Sequence, residues 1–320
     1  MKFLIALAAL ALAVPAHAAD DDYPNRAVKI VVPFAPGGST DVVARILAEK
    51  LGAELKQSFI VDNRAGAGGN IGADAVAKSP PDGYTLLMGT TGVLAINKYL
   101  YKNMGFDPDR DLVPVSYTSL ITNILVVNPQ VPARTVADLI RLARDKPGAL
   151  TFASSGAGSS THLSAELFKT MAGVDILHVP YRGSSQALID VIAGQVTMLF
   201  DNAPSSLPFV EQGKLRAVAV TSMKRLPNLP DVPTIDEAGV KGYESLSWSG
   251  IAAPAGTPKA VIDKLNGAIN RILRMDEVRA RFASLGVEPV GGPPDAFARH
   301  IRGESEKWGR LVKAANIRLD

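Results

Sequence analysis

Two turns in this 320-residue chain join glycines to hydroxyl side chains where an apolar, strand-like run gives way to helical spacing. They are Pro33-Phe34-Ala35-Pro36-Gly37-Gly38-Ser39-Thr40-Asp41 and Ala153-Ser154-Ser155-Gly156-Ala157-Gly158-Ser159-Ser160-Thr161-His162. The first N–H groups of a helix have no partner inside it, so each turn aims donors outward and attracts anions. Phe34, Ala35, Gly37, Gly38 and Ser39 are the candidate contacts of the first turn. Asp41 reads instead as a cap or internal partner, because its charge opposes a carboxylate. The second turn offers Ser155, Gly156, Ser159, Ser160, Thr161 and His162, with at least one hydroxyl expected to cap the helix. Two such turns, far apart in sequence, point to a small carboxylate gripped between two lobes.

Other chemistries compete for the same residues. Ser160 with His162 is open as the nucleophile and base of a periplasmic serine hydrolase, yet no Gly-x-Ser-x-Gly elbow surrounds any serine. A lone histidine one turn into a helix is more often structural. The stretch from Arg64 to Gly72 imitates a dinucleotide fingerprint, but Ile71 stands where the third glycine belongs. That leaves a third glycine-rich loop, with Gly68, at the edge of a cleft. Beyond the leader described below, the histidines are His162, His178 and His300, without metal-ligand spacing, and the chain has no cysteine. No metal and no cofactor is expected. Asp201-Asn202, ending a strand, either reads a polar group on a ligand or simply turns the chain.

The elements that must position these turns alternate. Strands are predicted at 28–32, 59–61 and 84–88, with helices at 41–55 and 70–77 between them. A strongly apolar strand follows at 120–127, then a helix capped by Thr135 that stops at Pro147-Gly148. A second set comprises strands at 150–153, 176–179, 196–200 and 215–220, with helices at 161–171, 184–192 and 207–212. The alternation implies parallel strands with crossover helices. A proline-rich stretch, 226–233, returns the chain, and residues 248–253 rejoin the first sheet. Thr257 is expected to cap a helix with Pro258 at its first position, Asp276 to cap the next, and 294–315 to form a last amphipathic helix. The expected division is a first lobe at 19–119, a second at 120–222 and a return to the first at 223–320, so two crossings make a hinge.

Met1 and Lys2 precede an apolar run at 3–14 and the small-x-small Ala16-His17-Ala18, the pattern of an export leader cleaved after Ala18. The periplasm is the expected compartment. The apolar run is short for a bilayer span, and no cysteine stands at the cleavage site to be acylated. With 47% hydrophobic and 20% charged residues, the chain supports a large core and two lobes. Losing Lys2 takes the 34 Lys and Arg to 33 against 31 Asp and Glu, and no basic block is interleaved with aromatics. Nucleic acid is therefore not an expected partner.

Taken in order, these motifs resemble those of the Bug (Bordetella uptake gene) or TctC family of periplasmic solute-binding proteins, which serve tripartite tricarboxylate transporters. The resemblance rests on the first turn, Asp62-Asn63-Arg64 with the glycines from Gly66 to Gly72, and Asp82-Gly83-Tyr84-Thr85-Leu86-Leu87. It continues through the second turn, His178-Val179-Pro180-Tyr181 with Gly183, and Phe200-Asp201-Asn202, and so spans essentially the whole chain beyond the leader. Ala65 departs from the family's usual proline. The resemblance implies an α/β, two-lobed Venus-flytrap fold, each lobe a mostly parallel sheet flanked by helices. It implies that Ala35 to Ser39 with Gly89 and Thr90 hold one carboxylate, partly through ordered waters. The helix start from Ser155 to His162 meets the far end, with Tyr181 among the contacts, and Asp201 helps to choose among amino or hydroxyl substituents. It further implies a monomer without an enzymatic step that delivers its ligand to two membrane-integral permease subunits. A sensor that passes the same ligand signal to a membrane kinase is the remaining alternative.

Overall fold

Runs of β-branched residues such as Val28–Val32 lie against helices whose apolar faces cover them, and the pattern repeats along the chain. The computed structural model describes residues 23–314; the expected leader and its cleavage site lie outside them. The first part contains β1 (Val28–Val32), α1 (Ser39–Leu55), β2 (Phe59–Asn63), α2 (Asn70–Ala77) and β3 (Thr85–Thr90). A π-helical turn (Gly92–Ile96) runs into α3 (Asn97–Leu100), and α4 (Pro108–Asp111) precedes the 16-residue β4 (Leu112–Val127). Next come α5 (Val136–Asp145), β5 (Thr151–Ser154), α6 (Ser160–Ala172), β6 (Leu177–Pro180), α7 (Ser184–Ile192), β7 (Met198–Asn202), α8 (Ala203–Glu211) and β8 (Arg216–Val220). The described residues close with β9 (Leu246–Pro254), α9 (Lys259–Ile272), α10 (Asp276–Ser284), β10 (Val287–Pro289) and α11 (Pro294–Ala314).

The strands lie in the order β2-β1-β3-β9-β4-β7-β5-β6, with β8 and β10 also paired to β4. The expected parallel pairing holds for β1 with β2 and β3, and for β5 with β6 and β7. The strands at the middle are antiparallel. β9 runs against both β3 and β4, and β4 runs against β7 and β8. β4 is the reason: residues 112–122 pair with β9, while residues 123–127 pair with β7 and β8. One continuous strand thus belongs to both sheets. Its first half escaped sequence reading because Pro114, Ser116, Thr118 and Ser119 break the apolar run, and the register shifts at the same place.

Helices cover both faces of each sheet. In the first lobe, α1, α9 and α10 pack Leu47, Leu51, Leu265, Ile269 and Phe282 against one face. The π-helical turn and α11 cover the other with Val93, Ile96, Phe297 and Trp308. In the second, α5 and α6 bring Leu139 and Phe168 to Phe152 and Phe200, and α7 and α8 bring Leu188 and Leu207 to the opposite face. Ile235, Val240 and Tyr243, which follow the expected 222 boundary, pack in the cluster of Phe168 and Phe200.

Local caps explain several boundaries and correct two. Thr135 and Asp138 form a reciprocal capping box at the start of α5, as the sequence suggests. Thr257 does not cap α9: its hydroxyl donates to the Pro254 carbonyl, and Pro258 is the flanking residue. Asp276 is the first residue of α10 and not its cap, a place where its charge still favours the helix. The helix expected at 207–212 begins at Ala203, because Pro204 stands in the first turn, where its missing N–H costs nothing.

Candidate functional site

The two turns face each other across a cavity of about 30 Å³ lined by residues of both lobes, among them Gly38, Ser39 and Thr40 on one side and Ser155, Ser159 and Ser160 on the other. Four helices begin on its wall: α1 at Ser39, α6 at Ser160, α7 at Ser184 and α8 just after Asn202. Three of them, α1, α7 and α8, have no side-chain cap, so their first-turn amides are left for other acceptors. Phe34, Ile121 and Trp248 supply an apolar wall, and Thr90, Ser247 and Ser249 add hydroxyls. Among the described residues no lysine, arginine or histidine lines this cavity.

The first turn is shaped by groups behind it. Asp41 accepts hydrogen bonds from the Gly37 N–H (3.0 Å), the Arg45 guanidinium (2.9 Å) and the Asn63 amide (3.0 Å). It is an internal partner of its own lobe, as expected. Burial pushes its carboxyl up, but the bonds from Arg45, Gly37 and Asn63 together hold it below the ordinary aspartate value. Asn63 also donates to the Phe34 carbonyl (3.0 Å), which ties the end of β2 to the first turn. Arg64 pairs with Asp62 at the surface and does not line the cavity.

The second turn spends most of its hydroxyls on itself. Ser159 accepts from the His162 N–H and donates to the Gly156 carbonyl, while Thr161 accepts from the Ser155 N–H. Among the described residues Ser160, Thr40 and Thr90 make no side-chain hydrogen bond, and the Thr90 hydroxyl is fully buried. His162 does not pair with Ser160. Its Nδ1 accepts from the Gly158 N–H (3.2 Å), so its proton sits on Nε2, and its ring stacks on His178 at 4.1 Å. The pairing that a nucleophile-and-base reading of these two residues needs is not present, and the imidazole nitrogen without a proton is already bonded to the turn.

Asp201 is also behind the cavity wall and not on it. Fully buried, it accepts from Ser184 (2.6 Å) and Ser205 (2.5 Å). Burial raises its carboxyl to about 6, against the opposing effect of those two hydroxyls and the Asn202 amide. Ser184 lines the cavity with its proton committed to Asp201. Of the pair Asp201-Asn202 it is Asn202 that lines the cavity. Ser184, Ser247 and Trp248 were not singled out as contacts from sequence, because each becomes a wall residue only through strand pairing and crossover geometry.

Several expected contacts serve closure in place of the cavity wall. The Ala35 N–H donates to the Arg182 carbonyl (3.3 Å), and the Tyr101 hydroxyl to the Ala157 carbonyl (2.7 Å). A side chain at Gly68, where φ is +61°, would meet the Ala157 oxygen at 2.3 Å, and one at Gly156 would approach Gly68. These glycines let the backbones of the two lobes touch. Gly89 packs beneath Leu94, Gly37 gives its N–H to Asp41, and Tyr181 donates to Asp190. Each was expected as a ligand contact, and in the closed arrangement none of them lines the cavity.

The chain is similar to known proteins over most of its length. A family profile described as "Tripartite tricarboxylate transporter family receptor" matches residues 43–317. Protein BugT of Bordetella pertussis is 39% identical over 316 residues, covering 98% of this chain and 96% of its own. Among solved structures, "R. palustris Rpa4515 with adipate" superposes with a TM-score of 0.91 at 45% identity, over 93% of this chain and 100% of that one. "MatC (Rpa3494) from Rhodopseudomonas palustris with bound malate" gives 0.87 at 33% identity, over 91% of this chain and 100% of that one.

Two outcomes follow from the site. A methyl at Gly92 would sit 2.8 Å from the Gly158 oxygen of the other lobe, without left-handed strain in its own turn. Gly92→Ala is expected to hold the lobes apart while each stays folded, enlarging the radius of gyration in solution scattering with unchanged circular dichroism; an unchanged radius would refute this role for the contact. Burial, reinforced by neighbouring positive charge, lowers His162 to about 3 and His178 to about 4, below the unfolded value of about 6.5. The unfolded chain therefore binds more protons in that range, and stability falls as pH drops from about 6.5. Asp201 acts in the opposite sense between the ordinary aspartate value and about 6, one group against these two and His300, which burial also lowers. Thermal melts should show a lower Tm at pH 5 than at pH 7, and a smaller difference in His162→Asn, whose amide oxygen can still accept from Gly158.

Proposed function

The chain belongs to the tripartite tricarboxylate transporter receptor family, of solute-binding proteins, and we propose that it captures a small dicarboxylate between its two lobes for delivery to a membrane permease. The observation that carries this reading is the meeting of four helix starts, three of them without a side-chain cap, on one cavity that has no cationic side chain among the described residues. A helix start presents about half a positive charge, and excluding water as the lobes meet strengthens that attraction. The free hydroxyls of Thr40, Thr90 and Ser160 add donors, and Phe34, Ile121 and Trp248 cover the methylene part of the ligand. The adipate and malate of the similar solved structures support the dicarboxylate class.

A cavity of about 30 Å³ offers room for only about two water-sized spheres. Entry therefore requires the lobes to part, and capture is the step that brings them back. On this reading the lobes divide near Asn123, where β4 changes partners, and near Ser245, whose N–H donates to the Thr221 carbonyl. The leader at 1–18, cleaved after Ala18, carries the chain to the periplasm. No helix among the described residues is long and apolar enough to cross a membrane.

A melting-temperature screen against four- to six-carbon dicarboxylates tests the reading. A ligand at a hundredfold its Kd adds about 2.7 kcal/mol of stability. Trp248 is on the cavity wall, so its fluorescence should change with the same ligands and the change should vanish in Trp248→Phe. Affinity should vary little with ionic strength, because the donors are neutral amides and hydroxyls. Shifts produced only by sugars or cations, or a steep salt dependence, would overturn it.

A further inference from the structure

Asn202 has every polar atom of its side chain engaged, and its partners come from three parts of the molecule. Its Nδ2 donates to Asn123 Oδ1 on β4 (2.5 Å) and to Ser247 Oγ on β9 (2.6 Å), the two strands that carry the chain between the lobes. Ser247 in turn donates to Asn123 Oδ1 (3.0 Å), so the three side chains close a ring. With both amide protons held by the strands, only Oδ1 is left to face the first lobe. There it accepts from Ser39 Oγ at 2.9 Å, the first residue of α1. The ring extends deeper: Asn123 donates to Ser164, which bonds Ser245 just before β9. Asn123, Ser164, Ser245 and Ser247 are all buried, as are Ser39 and Asn202.

We infer that Asn202 is a positioning residue whose amide, oriented by Asn123 and Ser247, latches the lobes shut through Ser39. The bond to Ser39 joins residues 163 positions apart in opposite lobes, so it exists only while they are together. The ring beneath it lies on the strands about which they swing, so it persists in either state. Closure then adds one hydrogen bond to a carbonyl oxygen that is already aimed. Without the ring the amide samples several orientations, and closure must fix one of them at an entropic cost. The role does not depend on which ligand is bound, and it differs from that of the helix-start amides, which address the ligand itself.

The test uses the ligand-free protein, so its outcome is separate from that of the dicarboxylate screen. The chain has no cysteine, and spin labels can be placed by Glu49→Cys near the far end of α1 and Gln212→Cys just past α8, both exposed. These helices start at the cavity and lead away from it in opposite lobes. Pulsed dipolar spectroscopy should give a short-distance population in the wild-type background. Ser39→Ala should cut the ratio of closed to open molecules about fivefold, the size expected for one neutral hydrogen bond. Asn123→Ala should reduce it as well, and adding Asn123→Ala to Ser39→Ala should change nothing more, because both act through one bond. Ser247→Ala is the second strand-side variant should Asn123→Ala fold poorly. An absent short-distance population in the wild type, a distribution unmoved by Ser39→Ala, or additive losses in the double variant would each overturn the latch.

Discussion

A helix can hydrogen-bond all of its peptide groups except those at its ends, and the N–H groups of its first turn must find acceptors elsewhere. Everything distinctive in this molecule follows from how that constraint is met at four places together. Side-chain caps satisfy such amides in the ordinary way, as Thr135 does for α5. At α1, α7 and α8 the caps are missing, and Asp41 and Asp201, the nearby carboxylates, are turned away from the cavity. Glycine or a small hydroxyl residue stands at most of the positions where a larger side chain would fill the space. The cavity wall is thus made largely of helix starts and small hydroxyl side chains, with larger groups behind it holding it in shape.

The antiparallel junction decides where those helix starts point. Parallel strand-helix units place every helix start at the same edge of a sheet, as in each half of this molecule. Joining two such halves through β4 and β9 turns those edges toward each other. The bulged, Ser- and Thr-rich stretch of β4 around Ser116 and Ser119 is where the pairing with β9 slips, and where the strand passes toward the second sheet.

Much of this architecture was legible in sequence. α2 and α7 fall at the expected residues, since Gly69 and Gly183 precede them and their apolar spacing is unbroken. Both glycine and serine turns were recognisable, and Gly38 and Ser160 do share one cavity. The π-helical turn was not, because Gly92–Ile96 is simply apolar and its hydrogen-bond register leaves no trace in composition. Nor was the division of labour among the glycines. Gly38 lies on the wall, whereas Gly68 and Gly156 meet each other across the lobes, a distinction that depends on tertiary contact. Asp201 illustrates the same limit: a carboxylate ending a strand is readable, but the hydroxyls of Ser184 and Ser205 that enclose it come from two different helices.

Among the described residues no cationic side chain stands on the cavity wall, and this bears on how a carrier lets go. An arginine–carboxylate pair is strong and bidentate, so a guest so held lingers on one half of the parted protein. Amides and hydroxyls grip well only in a dry space, and returning water can replace their bonds nearly one for one. On the reading proposed above, opening the jaws is then itself the act of unloading: a downstream membrane component needs only to pry the halves apart, with no rival charge to pull the cargo free.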